Sequence, residues 1–564
     1  MRTTRWTIFF ALTGIHFAGC GGDGNSTVSN SSSSSGGGSG GNGGSGGGSA
    51  ARCSVESANE PGVVAIDSGL ARGTKESGSW VFRGIPYAAP PIDEKRWKAP
   101  EVAACWDGVR DANAFGAVCP QIDAKTKQPI GNEDCLTLNV WAPDAAAAGN
   151  GPFPVLFFLH GGGNIQGSSS EILAGTAPIY NGIHLSEASK AIVVTINYRL
   201  GPLGFLALPE LSAESTWGAS GNYGLLDQIA ALEWVQKNIA AFGGDPSKVL
   251  LFGESAGALD TMTLVASPLT KGLFSAALSQ SGGATSTPQK DAEAAMSARV
   301  GMSSCANAAD RLECLRGKTA SELLAEIPGF VNIGGATLGN AAGSYGPIVD
   351  GHVLLKSTFD IFAAGEHQHV PIVIGTNAEE LAALLVAQAN TEAEFQAIIN
   401  QNFGNWAPDI LAAYPVADYV SPQDALVAVY SDMRFNCPAR IIARSIAKTQ
   451  SEPVYRYFFT RRAKTAQGDK PAQHAIELLY VFGTLTDIPL YTPVAEDVAL
   501  SDAVMGYWSR LGFTKNPNGA GAVEWPTYDV AKDSHIVLDS PITTGEGVRA
   551  AQCDAWEVIF TKAP

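Results

Sequence analysis

The segments PVLFFLH (154–160), AIVVTINY (191–198), KVLLFG (248–253), VPIVIG (370–375) and VYRYFF (454–459) are short and almost wholly apolar. A strand without in–out alternation is buried on both faces, so each of these runs reads as the inside of a covered sheet. Between them lie stretches with apolar residues at helical spacing. GLLDQIAALEWVQKNIAAF (224–242) ends at Gly243-Gly244, and 256–266 reads as a second helix. Strands alternating with helices predict an α/β fold: a mostly parallel sheet with helices on both faces. In such sheets chemistry collects at the C-terminal ends of the strands.

The chain has 564 residues, enough for several domains, yet from Cys53 onward it shows no second linker and no repeat. One folded domain, 53–564, is expected. Before it, MRTTRW carries two arginines and Thr7 to Phe17 is mostly apolar. That run is too short for a membrane span, which needs about 20 residues, and it suits a signal peptide over 1–20. Small residues before Cys20 resemble a bacterial lipoprotein processing site, which makes Cys20 the expected lipidation position. Residues 21–52 are a Gly/Ser coil with nothing to bury, the composition of a tether between anchor and domain. The expected location is outside the cytoplasm, anchored to a bacterial outer membrane; the alternative is a secreted or periplasmic protein. A formal net charge of −17 with no basic patch excludes nucleic acid as a partner. Setting Cys20 aside leaves eight of the nine cysteines, an even number in an exported chain, and no C-x-x-C pair suggests a metal.

Gly253-Glu254-Ser255-Ala256-Gly257 is a G-x-S-x-G motif, a weak signal in a chain this rich in glycine. Two more copies, 37–41 and 43–47, fall in the tether. Only the copy at 253–257 follows a strand and opens a helix, the setting in which a sharp turn lifts a serine hydroxyl clear of the backbone. A helix N-terminus also favours negative charge developing there. A serine needs a base, and the base an acid, in the chain order Ser, acid, His for this architecture. Glu379 and Glu380 follow the strand at 370–375. His352, His367, His369, His474 and His535 all follow Ser255; His474 stands after the strand at 454–459, with His535 as its nearest rival. HGGGN (160–164) also follows a strand. Its glycines leave N–H groups open to a substrate oxygen, with Ala256 N–H as a further donor.

FRGIPYAAPP (82–91), EDCLTLNVW (133–141), HGGG, NYRLGPLGF (197–205), GNYGLLDQ, FGGDP, FGESAG and HAIELLYVFG, in this order, resemble the signatures of the type-B carboxylesterases, the family that includes the cholinesterases. The likeness runs from about Gly62 to Phe560 and implies an α/β-hydrolase fold. It also implies a catalytic Ser255, Glu380 rather than Glu379, and His474 rather than His535. Gly162, Gly163 and Ala256 match the oxyanion donors, and Glu254 and Ser281 match supporting polar residues. The carried-over disulfides are Cys119–Cys135, Cys305–Cys314 and Cys437–Cys553, which leaves Cys53–Cys105. Arg96 with Glu133 and Arg199 with Asp227 match buried ion pairs. Three departures stand out. Asn164 replaces an aromatic after the glycines, and Leu381 replaces a glycine after the acid. The loop between Cys119 and Cys135 is short, polar and without the tryptophan that seats choline.

The expected activity is hydrolysis of short-chain or aryl carboxylic esters through a serine acyl-enzyme, with a small-molecule ester as partner and no cofactor or metal. A polyester or bulky-diester hydrolase with the same triad is the alternative within the class. A non-catalytic surface binding protein on the same fold is the alternative outside it. The sequence leaves the oligomeric state open.

Overall fold

The computed structural model describes residue 53 and residues 60–144, 151–173, 175, 177–329, 345–466 and 468–562. The expectations for the signal peptide, Cys20 and the tether lie outside the described residues. The elements below belong to one unit that begins at Ser54.

Eleven strands form the main sheet: β1 (Thr74–Glu76), β2 (Ser79–Pro86), β3 (Thr137–Pro143), β4 (Phe153–Leu159), β5 (Ile192–Ile196), β6 (Gly244–Glu254), β7 (Ala276–Gln280), β8 (Ile372–Asn377), β9 (Val454–Phe459), β10 (His535–Leu538) and β11 (Thr543–Gly545). Their spatial order is β11-β10-β9-β8-β7-β6-β4-β5-β3-β2-β1. From β5 across to β10 neighbouring strands are parallel. The antiparallel strands β1, β2 and β3 close one edge and β11 the other. The mostly parallel sheet expected from the apolar runs is therefore present.

Period-two geometry explains why those runs have no polar face. Val155, Phe157 and Leu159 of β4 enter one core, and Leu156 and Phe158 enter the other. The first core is covered by α1 (Tyr223–Asn238), α2 (Ala256–Ala266) and, further along the chain, the helix Cys437–Thr449. The second is covered by the helix Ala495–Thr514, through Leu500, Val504, Trp508 and Leu511. Each such side chain contributes about 1.5–3 kcal/mol when fully buried. The expected helix over 224–242 is α1 followed by one tight turn, Ile239–Phe242, and Gly243 at φ 84° ends it in the left-handed region.

Both expected ion pairs form. Arg199 Nε and Nη2 donate to the two Asp227 oxygens at 2.8 Å each, fully buried. Arg96 reaches Glu133 at 2.5 and 2.8 Å and also donates to the carbonyls of Leu315, Arg316 and Lys318. Removing one partner of such a buried pair costs about 3–5 kcal/mol. Cys119–Cys135, Cys305–Cys314 and Cys437–Cys553 are bonded, and Cys53 and Cys105 are each in disulfide linkage. Leu381, the departure after Glu380, is fully buried in a third core with Phe395, Leu426 and Trp556, where a glycine would leave space.

Candidate active site

Four central parallel strands deliver the site from their C-terminal ends. β4 ends at the loop His160–Asn164, β6 at Ser255, β7 just before Ser281, and β8 just before Glu380. Ser255 joins β6 to α2 with φ 56° and ψ −118°, a conformation L-residues avoid. The turn is held by its neighbours. Ser255 N–H donates to Gln280 O at 2.9 Å, and Ser255 O accepts from Ala258 and Leu259 N–H. The flanking glycines exist because of crowding. A Cβ on Gly253 would lie 2.4 Å from Gly257 O, and one on Gly257 would lie 2.1 Å from Leu159 O. Larger residues would push the elbow off the strands that aim it.

His474 Nδ1 lies 2.7 Å from Glu380 Oε2. Glu380 is fully buried; its other oxygen accepts from Asn377 N–H at 2.7 Å, and its carbonyl accepts from His474 N–H at 3.0 Å. Glu379, one residue earlier, turns the other way. It pairs with the half-exposed Arg462 at 2.8 Å and accepts from Ala472 N–H. The other histidines are engaged elsewhere: His352 stacks on Trp217, His367 contacts Gln450, His369 contacts Gly365 O, and His535 contacts Asp533 O.

On its far side His474 Nε2 lies 3.1 Å from Glu254 Oε1, within ion-pair range. Neither atom is aligned for a hydrogen bond, so the contact is electrostatic, and Nε2 makes no hydrogen bond to Ser255 in this state. Catalytic contacts of this kind often tighten only once substrate is bound. Ser281, at φ 53°, likewise has a buried hydroxyl without a partner.

Sequence reasoning missed Glu477. It is buried three residues after His474, in the turn before the helix Leu478–Val481, accepting from Asn377 Nδ2 at 2.5 Å and Gln280 Nε2 at 3.1 Å. Its spacing from the histidine was the available signal. Three carboxyls thus surround one imidazole. Burial works against the imidazolium, but Glu254, Glu380 and Glu477 outweigh it and lift His474 to about 9. Burial drives Glu254 up to about 8, with His474 pulling it down and Glu477 and Glu380 adding to the rise. Burial and the Glu380 charge raise Glu477 to about 7. Phe435, also missed, packs on the His474 ring at 4.7 Å between centroids. It sits in a π-helical turn, Asp432–Asn436, tied down by Tyr414 and Arg549 at Asp432.

The N–H groups of Gly162, Gly163 and Ala256 carry no hydrogen bond within the protein among the described residues. They are therefore available to a developing oxyanion. The loop between Cys119 and Cys135 is a small hairpin, Gln121–Ile122 against Pro129–Ile130. Gln121 stitches it to Gly167 through two hydrogen bonds of 2.8 Å. Among the described residues no group of three or more His, Cys, Asp or Glu side chains is placed to hold a metal ion.

The sequence model described as the carboxylesterase family matches residues 60–556. Fumonisin B1 esterase of Sphingopyxis macrogoltabida is 33% identical over 478 residues, spanning 83% of this chain and 84% of that protein. Para-nitrobenzyl esterase of Bacillus subtilis (strain 168) is 34% identical over 503 residues, spanning 85% and 95%. A solved structure of a PNB esterase superposes with a TM-score of 0.74 at 32% identity, covering 88% of this chain and all of its own.

Proposed function

This chain belongs to the carboxylesterase family, with its α/β-hydrolase fold and carboxylic ester hydrolase activity, and from that premise we propose which residues carry the reaction. Ser255 Oγ attacks the ester carbonyl carbon while His474 Nε2 takes the hydroxyl proton. The carbonyl electron pair moves to oxygen, where Gly162, Gly163 and Ala256 N–H groups receive the charge. The tetrahedral species collapses, the bond to the alkoxy oxygen breaks, and His474 returns the proton to the leaving alcohol. Water then attacks the acyl-enzyme by the same route and releases the acid and free Ser255. Glu380 holds the Nδ1–H tautomer and stabilises the imidazolium. The observation that carries this reading is the buried His474–Glu380 contact of 2.7 Å, with Glu379 turned away to Arg462.

The substrates are short-chain or aryl esters, a reading supported by the likeness to a para-nitrobenzyl esterase. The short hairpin between Cys119 and Cys135, tied to Gly167, supports a site without a lid from that loop, so bulky esters are a second substrate class. A hydrolysis panel of aryl and alkyl esters of graded chain length, with one bulky diester, tests both. Hydrolysis of none of them by the wild-type protein would reject the reading. Cys20 is lipidated and the Gly/Ser tract tethers the enzyme to a membrane, as the apolar run before Cys20 suggests. Cys20→Ala releases the protein from membranes with activity unchanged; failure of wild type to incorporate a palmitate analogue rejects the anchor.

A further inference from the structure

Asn164 and Asp260 are unusual residues in unusual places. Asn164 ends the glycine loop, is buried, and sits at φ 57°, a region in which asparagine is among the least strained residues. Asp260 is the only charged residue in α2, one turn beyond Ala256, and it is fully buried. The two meet: Asn164 Nδ2 donates to Asp260 Oδ1 at 3.0 Å. The second Asp260 oxygen accepts from Gln228 Nε2 of α1 at 2.7 Å. Tyr198 OH donates to His160 O at 2.8 Å and approaches Asn164 Oδ1 at 3.3 Å, and Gly201 N–H donates to Asn164 O at 2.7 Å.

Asp260 forms no ion pair among the described residues. Its neighbours are two amides and, further off, the Tyr198 phenol. Burial raises its carboxyl to about 7, against the pull of Asn164 and Gln228. A carboxyl in such a place costs stability relative to an apolar side chain. Its position suggests what it contributes in return. The oxyanion donors come from two separate segments: Gly162 and Gly163 from the loop, Ala256 from the start of α2. The two segments leave the paired strands β4 and β6, but that pairing ends at Leu159 and Gly253, before either set of donors. The Asn164–Asp260 hydrogen bond joins the residue after the last loop donor to the helix turn below the third.

We propose that Asn164 and Asp260 form a positioning clamp that holds the Gly162–Gly163 loop in register with the N-terminus of α2, so that the three N–H groups converge on one oxygen. The inference rests on the reading of those groups as the oxyanion site. A donor displaced by about 1 Å loses much of its value in the transition state while ground-state binding is little changed.

The full-length enzyme is compared with Asp260→Ala, Asn164→Asp and the exchanged pair Asn164→Asp/Asp260→Asn. For each, kcat and KM are measured on a p-nitrophenyl ester, Ki for an aryl trifluoromethyl ketone whose adduct carries the oxyanion, and the melting temperature. Asp260→Ala lowers kcat about 10–100-fold with KM within about threefold, and Ki rises in step with the loss of kcat. Asn164→Asp behaves alike, because two carboxyls then face each other. The exchanged pair reverses donor and acceptor in the bond between the two residues, leaves an acceptor oxygen on residue 260 for Gln228 Nε2, and recovers kcat and Ki to within about fivefold of wild type. A merely structural pair would lower the melting temperature without separating kcat from KM. The clamp is overturned if Asp260→Ala keeps kcat and Ki within about threefold of wild type. It is also overturned if the exchanged pair folds and does not recover, which decides the matter should Asp260→Ala fail to fold. Retained activity in Ser255→Ala would instead overturn the underlying reading.

Discussion

The glycine-loop side of the site and the histidine side each bury acid, and they handle it differently. Beneath the loop a single carboxyl, Asp260, is held by two neutral amides and no cation. Around His474 three carboxyls share one imidazole, and Glu254 Oε1 and His474 Nε2 remain without hydrogen bonds. Directional bonds to neutral partners fix where backbone N–H groups point. Crowded charge fixes how tightly a proton is held. One side is arranged for geometry and the other for proton affinity, and Ser255 stands between them.

The largest effect removes the element both sides serve. Ser255→Ala folds and loses about 10⁶ in kcat, since triad members act as a unit; a burst assay on an aryl ester checks this, and activity within tenfold of wild type sinks the assignment. Next comes the orientation of the histidine. Glu380→Gln loses about 10³–10⁴ in kcat through the wrong tautomer, whereas Glu379→Gln, which breaks only a partly exposed pair, stays within about threefold. Equal activity of the two variants would erase the contrast between the inward and outward acid.

A third prediction sharpens the comparison through pH. The Glu254 carboxylate favours the imidazolium, so Glu254→Gln lowers the His474 pKa. The acid limb of kcat/KM then moves to lower pH, whereas Asp260→Ala leaves that limb in place while lowering kcat. Stability follows the same sign. Glu254 rises from 4.5 to about 8 on folding, so between those values the folded state keeps a proton that the unfolded chain releases. Its contribution is full below about 4.5 and is lost as pH rises through about 8. Urea midpoints therefore fall from pH 5 to pH 8 in wild type and fall less in Glu254→Gln. Equal slopes would show that Glu254 does not hold the proton.

The smallest effect concerns access. With the hairpin between Cys119 and Cys135 tied to Gly167 and no tryptophan in it, the rate on short-chain esters saturates normally, with a ratio of about one across the solubility limit. Choline esters gain nothing from a cation–π contact of about 2 kcal/mol there. A rate jump on emulsified triglyceride, or a tenfold choline preference, would contradict this.

Local pattern was enough for the five apolar strands β4, β5, β6, β8 and β9, for α2 and for the elbow, because strand and helix periodicity depends on neighbours in the chain; the other six strands of the main sheet were not marked by it. The motif copy at 253–257 separated from those at 37–41 and 43–47 on the same ground: only the first has a strand behind it and a helix ahead. The residues alone left Glu379 and Glu380 undecided, as well as His474 and His535. The resemblance to a family chose among them, and the structure gives the physical difference, a one-residue step that turns one acid inward to His474 and the other outward to Arg462. Asp260, Glu477 and Phe435 escaped notice. Asp260 was visible as the one charge in an apolar helix, but nothing in the sequence said that Asn164 would meet it 96 positions away. Sequence determined which segments become strands, helices and turns, since that follows from local sterics and apolar spacing. Only the tertiary structure decided which acids are buried, which face a histidine and which face water. Burial and electrostatic environment are set by atoms from distant parts of the chain, and no local stretch contains them.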